Sequence, residues 1–406
     1  TSPIELHPYA IGRMYQIAES NDGALFYSDY QEIRQGKKIH HPTLEYQTGS
    51  IRNDFDFGQL LLFRNDSFQQ VVAQMNTDYR FAALYELRLS ISRLGKIVHI
   101  PETLYTVQPT DLRLSGEKQF DYVDPANREV QLEMEAVCTA HLQAIGAWLA
   151  PEFQRIDFGQ ENFAREASVI IPVRNRKRTI AEAVESALQQ QTDFSFNVIV
   201  VDNHSTDGTG QILTELSRRY PNLIHHIPAS TELGIGGCWT EAILLPECGK
   251  FAIQLDSDDL YKDCHVLQRI VDTFYQENCA MVIGSYQMVD FKLEEIPPGL
   301  IAHREWTPDN GRNNALRING LGAPRAFYTP MLRQIKFPNV SYGEDYATAL
   351  AISRKYPIAR IYDPLYLCRR WEENSDHDLD IQQLNNYNFY KDKIRTLEIQ
   401  ARISGK

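Results

Sequence analysis

Residues suited to chemistry follow two apolar runs. Asp256-Ser257-Asp258-Asp259 closes the strand-like run 251–255. Three carboxylates at one strand end repel each other unless a cation sits among them. Hard oxygen ligands suit Mg²⁺ or Mn²⁺, and such ions bridge to substrate phosphates. A surface acidic turn would read the same way. Asp202 ends the second run, Val198-Ile199-Val200-Val201. A carboxylate at the tip of a buried strand can accept hydrogen bonds from a base or a ribose hydroxyl. The following Ser205-Thr206-Asp207-Gly208-Thr209 caps a helix, whose N-terminus favours an anion. Ordinary capping explains Asp207 and Thr209 and explains Asp202 poorly.

From about residue 166, strand-like and helix-like segments alternate. Strands are expected at 168–173, 197–201, 223–227 and 251–255. Helices are expected at 179–191, 211–220 and 238–245. In the first of these, Ile180, Ala183, Val184, Ala187 and Leu188 recur at helical spacing. Continuous apolar strands alternating with helices predict an α/β fold with a largely parallel sheet. Ligands of such sheets sit beyond the carboxyl ends of the strands, where both acidic clusters fall. Residues 116–165 read as a connector, with a helix from Asp124-Pro125 to about Ala147.

The chain has 406 residues, 41 basic and 53 acidic, for a net charge of −12. That balance disfavours nucleic acid as a partner. Apolar residues are 43% and aromatics 11%, enough for large cores. No apolar run approaches the roughly 18 residues that span a bilayer. The start lacks a leader-like apolar stretch and an initiating Met, so a processed chain or a fragment is expected. Six scattered cysteines without a CxxC pair argue against a zinc ribbon or disulfide framework and suit a reducing cytoplasm.

Four ordered motifs carry a resemblance. They are Ser168-Val169-Ile170-Ile171-Pro172-Val173-Arg174-Asn175, the segment Val200 to Thr209, Leu255-Asp256-Ser257-Asp258-Asp259 and Gly343-Glu344-Asp345. In order and spacing they resemble the family 2 glycosyltransferases of the GT-A fold. The resemblance implies a Rossmann-like mixed sheet flanked by helices. It also implies a nucleotide-diphospho-sugar donor, Mn²⁺ or Mg²⁺, and inversion at the anomeric carbon. It places Pro172, Val173 and Asn175 in the nucleotide loop, Asp202 at the base and Asp256 with Ser257 on the ribose side. Gly236, Gly237 and Arg370 join that nucleotide-sugar set. Asp258 becomes the metal ligand, His377 a third ligand or a solvated residue, and Asp345 the general base. Glu344 orients that base or binds acceptor. Both could also be a helix N-terminal acidic pair.

The text departs from the family at two places. Asn203 stands where many members carry Asp, and Trp239 stands where many carry Arg. Arg174, Arg176, Lys177 and Arg178 face either diphosphate or solvent. Trp371 stacks on a sugar or packs. The helix expected at 381–403 reads as packing.

The first 115 residues repeat part of the last 240. At an offset of 261, nine of 21 positions from Tyr85 to Tyr105 are identical. Upstream the offset is 256, matching Ala24, Tyr30 and Gln31 to Ala280, Tyr286 and Gln287. Ala83-Leu84 stands opposite Glu344-Asp345, and the donor motifs have no counterpart. A partial, non-catalytic GT-A-like segment is therefore expected at 1–115, a helical connector at 116–165 and the catalytic domain at 166–406.

The expectation is a metal-dependent, inverting transferase of polysaccharide or glycoconjugate synthesis. It takes a UDP-sugar or another nucleotide sugar and a carbohydrate acceptor. It works in the cytoplasm, including the periphery of the inner membrane, as a monomer or homo-oligomer. Two alternatives stand beside it. A sugar nucleotidyltransferase would open with a Gly-rich basic loop, which Pro172-Val173-Arg174-Asn175 is not. A sugar-nucleotide-binding scaffold would not need Asp202, Asp256, Asp258 and Asp345 together.

Overall fold

The apolar runs of the second half become the buried strands of one sheet. The computed structural model describes residues 2–76, 78–111, 113, 118, 121–159, 161–371 and 379–405. The chain forms two compact units. One comprises Thr1–Leu149, Asn313–Asn319 and Ser375–Lys406, the other Ala150–Arg312 and Gly320–Asn374. The expected boundaries 1–115, 116–165 and 166–406 divide the chain differently.

The first unit contains β1 (Ile4–Leu6), α1 (Ala10–Glu19), β2 (Gly23–Arg34), β3 (Lys37–His41) and β4 (Leu62–Phe63). It continues with α2 (Asn65–Val72), α3 (Ala83–Leu94), β5 (Lys96–Val107) and α4 (Arg128–Ala144). The second unit opens with β6 (Ala167–Val173), α5 (Ile180–Leu188), β7 (Phe196–Asp202), α6 (Thr209–Arg219) and β8 (Leu223–His226). Then come α7 (Ile235–Leu244), β9 (Phe251–Gln254), β10 (Leu260–Tyr261), α8 (Val266–Glu277), β11 (Met281–Val289) and β12 (Glu295–Ile301). After a short turn α9 (Gly311–Asn314) follow β13 (Arg325–Tyr328), α10 (Thr329–Ile335), α11 (Glu344–Ser353) and β14 (Ile358–Arg369). The last helix, α12 (Ile381–Ser404), returns to the first unit.

In the second unit the strand order is β10-β14-β11-β13-β9-β6-β7-β8, with β12 beside β11. The four strands β9-β6-β7-β8 run parallel. β13 is antiparallel to β9, so the sheet is mixed, as the resemblance implied. Ile180, Ala183, Val184 and Ala187 of α5 are fully buried, the stripe expected from their spacing. Each Ile or Val buried this way contributes roughly 1.5–3 kcal/mol. The loops after β6, β7 and β9 leave the carboxyl edge together.

The first unit repeats the pairing of β11, β13 and β14. β2 and β5 pair as Leu25↔Ile97, Phe26↔Val98 and Tyr27↔His99. β11 and β14 pair as Met281↔Ile358, Val282↔Ala359 and Ile283↔Arg360. Even an irregularity coincides, Asp29↔Thr103 against Ser285↔Pro364. β4 sits on Leu25 through Phe63 as β13 sits on Met281 through Phe327. Between β2 and β11 and between β5 and β14 these are the offsets of the sequence repeat, 256 and 261. α3 begins with Ala83-Leu84, at the positions that Glu344-Asp345 holds in α11. There Glu133 of α4 accepts from the N–H groups of Arg80, Phe81 and Ala82 at 3.1, 2.7 and 3.0 Å.

α12, expected as a packing helix, carries a buried ion network of the first unit. Asp392, 1% exposed, receives Arg395 at 2.8 Å and Arg52 at 3.3 Å. Gly49 N donates to Thr396 Oγ1 at 2.9 Å. Arg317 of the 313–319 segment donates to Gln131 and Asn53, each at 2.7 Å.

His41 lies between Asp56 at 3.0 Å and Glu32 at 3.3 Å, with Tyr30 stacked on it. Burial lowers its pKa, but the two carboxylates outweigh that and raise it to about 9. A raised folded pKa means stability that is full below the ordinary histidine value and lost as pH rises through about 9. Thermal unfolding between pH 6 and 10 should show this loss, and His41→Gln should remove the dependence.

Candidate active site

The loops after β6 and β7 are tied together. Val173 pairs with Asp202 across β6 and β7, so both runs end at the same level. Asn175, at φ +55, donates its N–H to Ser205 Oγ at 2.9 Å and accepts from Thr206 N at 2.8 Å. The Asn175 side chain thus ties the two loops together. Asp202 is 2% exposed and accepts from Ser205 N at 3.0 Å, with His225 Nε2 3.4 Å away. Burial works against its charge, but His225 and Ser205 outweigh it and hold the carboxyl below its usual range.

The acidic cluster stands at the end of β9. Asp256 accepts from Gln254 Nε2 at 2.8 Å and donates its N–H to Tyr366 Oη at 2.8 Å. Burial pushes its carboxyl up, against Arg325 and Gln254. Asp258 Oδ2 receives Trp371 Nε1 at 3.2 Å and lies 3.7 Å from Arg176 Nε. Asp259 turns inward and accepts from Arg369 N at 2.8 Å. Burial and the charges of Asp258 and Asp256 push it well above the usual range. Asp259 is therefore built into the strand end. Ser257 O accepts from Thr179 Oγ1 at 2.9 Å, which fixes the turn to α5.

The Glu344-Asp345 pair opens α11. Gly343 takes φ +79 as its N-cap, a conformation glycine adopts without strain. Glu344 is buried, and Asp345 Oδ2 lies 2.5 Å from Arg325 Nη1. Burial works against Arg325's charge, but Asp345, Asp256 and Glu344 outweigh it and raise the guanidinium. One cation thereby answers carboxylates from both acidic motifs.

The other expected residues are placed as follows. A Cβ at Gly236 would come 2.0 Å from Pro338 O and 2.9 Å from Glu344 Cβ. One at Gly237 would come 2.3 Å from Asn339 Oδ1. This packing by itself requires glycine at both positions. Trp239 packs against Phe337 and Phe327 and is 4% exposed. Arg176 and Arg178 lie over Trp371, with centroid distances of 5.8 and 5.4 Å. Arg370 N donates to Val289 O at 2.9 Å. His377 lies outside the described residues. Sequence reasoning missed Gln254, Arg325, Tyr366 and His225. Gln254 alone left a signal, as the polar residue of an apolar strand.

Among the described residues, no three His, Cys, Asp or Glu side chains gather closely enough to hold a metal ion unaided. The Asp258 carboxylate is a hard oxygen donor of the kind that holds Mg²⁺ or Mn²⁺ when phosphate oxygens complete the shell.

A model of the family described as glycosyl transferase family 2 matches residues 168–337. Residues 168–337 are a family 2 glycosyltransferase domain. The match starts at the first motif and ends before Glu344-Asp345. An uncharacterized glycosyltransferase of Nostoc is 32% identical over 123 residues, 30% of this chain and 37% of its own. A poly(ribitol-phosphate) beta-glucosyltransferase of Bacillus spizizenii is 24% identical, over 55% of this chain and 35% of its own. The chain thus spans little more than a third of either relative. The crystal structure of S. aureus TarS 1-349 in complex with UDP-GlcNAc has a TM-score of 0.44 at 23% identity. It covers 58% of this chain and 72% of that one. No described helix is long and apolar enough to cross a membrane.

Proposed function

We propose that the glycosyltransferase domain transfers a sugar from a nucleotide-diphospho-sugar to an acceptor hydroxyl with inversion, using Mn²⁺ or Mg²⁺. The acceptor oxygen attacks the anomeric carbon while the bond to the diphosphate breaks. The hydroxyl proton passes to the Asp345 carboxylate, and the leaving diphosphate takes the electron pair. A bound divalent ion supplies the positive charge that the leaving group needs. Asp258 would hold it, Asp256 would stand on the ribose side, and Asp202 would meet the base. The carrying observation is Arg325, whose charge answers both Asp345 and Asp256. It supports a single site with a donor side and an acceptor side.

The named relative moves glucose, so hexosyl donors are the first to test. A carbohydrate or glycoconjugate acceptor fits the same reading. No disulfide joins the six cysteines, which supports a reducing cytoplasm, with the membrane periphery included. We read the first unit as a partial, non-catalytic copy of the acceptor-side half, supported by its matching strand registers.

The test is a screen of UDP-, GDP- and TDP-sugars with Mn²⁺, followed by thermal shift and nucleotide release. At 100 Kd of ligand, one donor class should stabilise the protein by about 2.7 kcal/mol and be turned over. Stabilisation without turnover of any donor would favour the scaffold alternative.

A further inference from the structure

Arg325 opens β13, and its Nη1 lies 2.5 Å from Asp345 Oδ2 and 3.1 Å from Gly322 O, to which it donates. Its own N–H donates to Gln254 Oε1 at 3.1 Å. The Gln254 amide donates in turn to Asp256 Oδ1 at 2.8 Å, and Gln254 is 3% exposed. The next pair, Ala326↔Ile253, locks β13 to β9 in register. A continuous link therefore joins the donor-side carboxylate to the acceptor-side one. It passes through one buried amide and one guanidinium.

We propose that Arg325 is a positioning residue for the base, fixing the Asp345 carboxylate in place and in its ionised form. The proposal rests on the transferase reading above. A guanidinium stays protonated across the physiological range, so it supplies charge without competing as an acid. Among the described residues, the charged and titratable groups that weigh most on Arg325, with Arg325 itself, come from four elements. Glu344 shares the first turn of α11, Arg325 comes from β13, Asp256 follows β9 and Tyr366 comes from β14. Among these the carboxylates oppose a further negative charge at Asp345, and Arg325 offsets them. An attraction that raises one partner's pKa lowers the other's, so losing Arg325 makes Asp345 easier to protonate.

The experiment compares Arg325→Gln and Arg325→Lys with the parent in donor hydrolysis from pH 5.5 to 9.5, with Mn²⁺ and UDP-glucose or the donor found by the screen. Arg325→Gln should move the acid limb of turnover up by about one pH unit or more. The loss should be about 10-fold or more at pH 6 and shrink toward parental rates at pH 9. Arg325→Lys should keep the limb near its parental position. Affinity for UDP should stay within about threefold of the parent, because the Gln254 amide still holds the Asp256 carboxylate. A uniform loss at every pH, with the limb unmoved, would overturn the proposal. A second measurement does not depend on turnover. Thermal unfolding of Arg325→Gln, Asp345→Asn and the double variant should be non-additive, since either change breaks the same pair. Additive shifts also overturn the proposal. A parent that turns over no nucleotide sugar, yet shows a non-additive cycle, overturns the transferase reading and the catalytic purpose of the pair, though not the pair.

Discussion

Asp345→Asn is expected to lower turnover about 10²–10⁴-fold, the usual worth of general-base help. The substitution keeps size and shape and removes only proton acceptance. The acceptor hydroxyl must lose its proton as its oxygen bonds to the anomeric carbon. Without a carboxylate within reach, that proton has only water to go to. Asp345 is well placed for this work. Gly343 sets the start of α11, and Arg325 holds one carboxylate oxygen at 2.5 Å. Donor binding should barely change, because Asp202, Asp256 and Asp258 carry that side. Nucleotide release measures the first effect, and calorimetry with UDP measures the second. Weakened UDP binding with normal turnover would show that Asp345 belongs to the donor side and that the base lies elsewhere.

The parts legible in the sequence are those whose cause is local. β6, β7 and β9 could be read because their apolar runs are continuous and buried from both faces. Residues 197 to 202 of β7 are all buried. Asp202 and Asp256 followed from the same logic, since a polar residue closing such a strand sits at the ligand edge of the sheet. Arg325 had no comparable signal. Its meaning depends on an antiparallel strand inserted between β11 and β9, and on a partner 20 positions away that reaches it only through the fold. Asp259 reads in the sequence as a third site carboxylate, but the N–H of Arg369, 110 residues on, turns it inward. Trp239 was an anomaly against the family's usual Arg. Phe327 and Phe337 show that its site is aromatic packing. The division into units was the least legible feature. α12 joins the first unit through Asp392 and Thr396, whose partners Arg52 and Gly49 lie more than 300 residues earlier. No periodicity in the last helix announces contacts of that range.

Asp258→Ala should abolish turnover, by about 10³-fold or more, and chelator should do the same to the parent. The diphosphate gains negative charge as it leaves, and a divalent ion beside it is worth several kcal/mol. Asp258 Oδ2 is the oxygen best placed to hold such an ion from the protein side. It already attracts two donors, Trp371 Nε1 at 3.2 Å and Arg176 Nε at 3.7 Å. An ion binding there draws on the same carboxylate that now accepts the indole N–H, so loading changes the surroundings of Trp371. Trp371 should therefore report loading. Mn²⁺ with UDP should change tryptophan fluorescence in the parent and not in Trp371→Phe, while Asp258→Ala should show little response at the same concentrations. UDP affinity should fall in Asp258→Ala and in chelator alike, since the phosphates then meet Asp256 without an intervening charge. The released Arg176 offers only one partly exposed guanidinium in exchange. Full activity in excess chelator would end the metal-dependent mechanism. Arg176 would then have to neutralise the leaving group, and Arg176→Ala would become the variant that abolishes turnover.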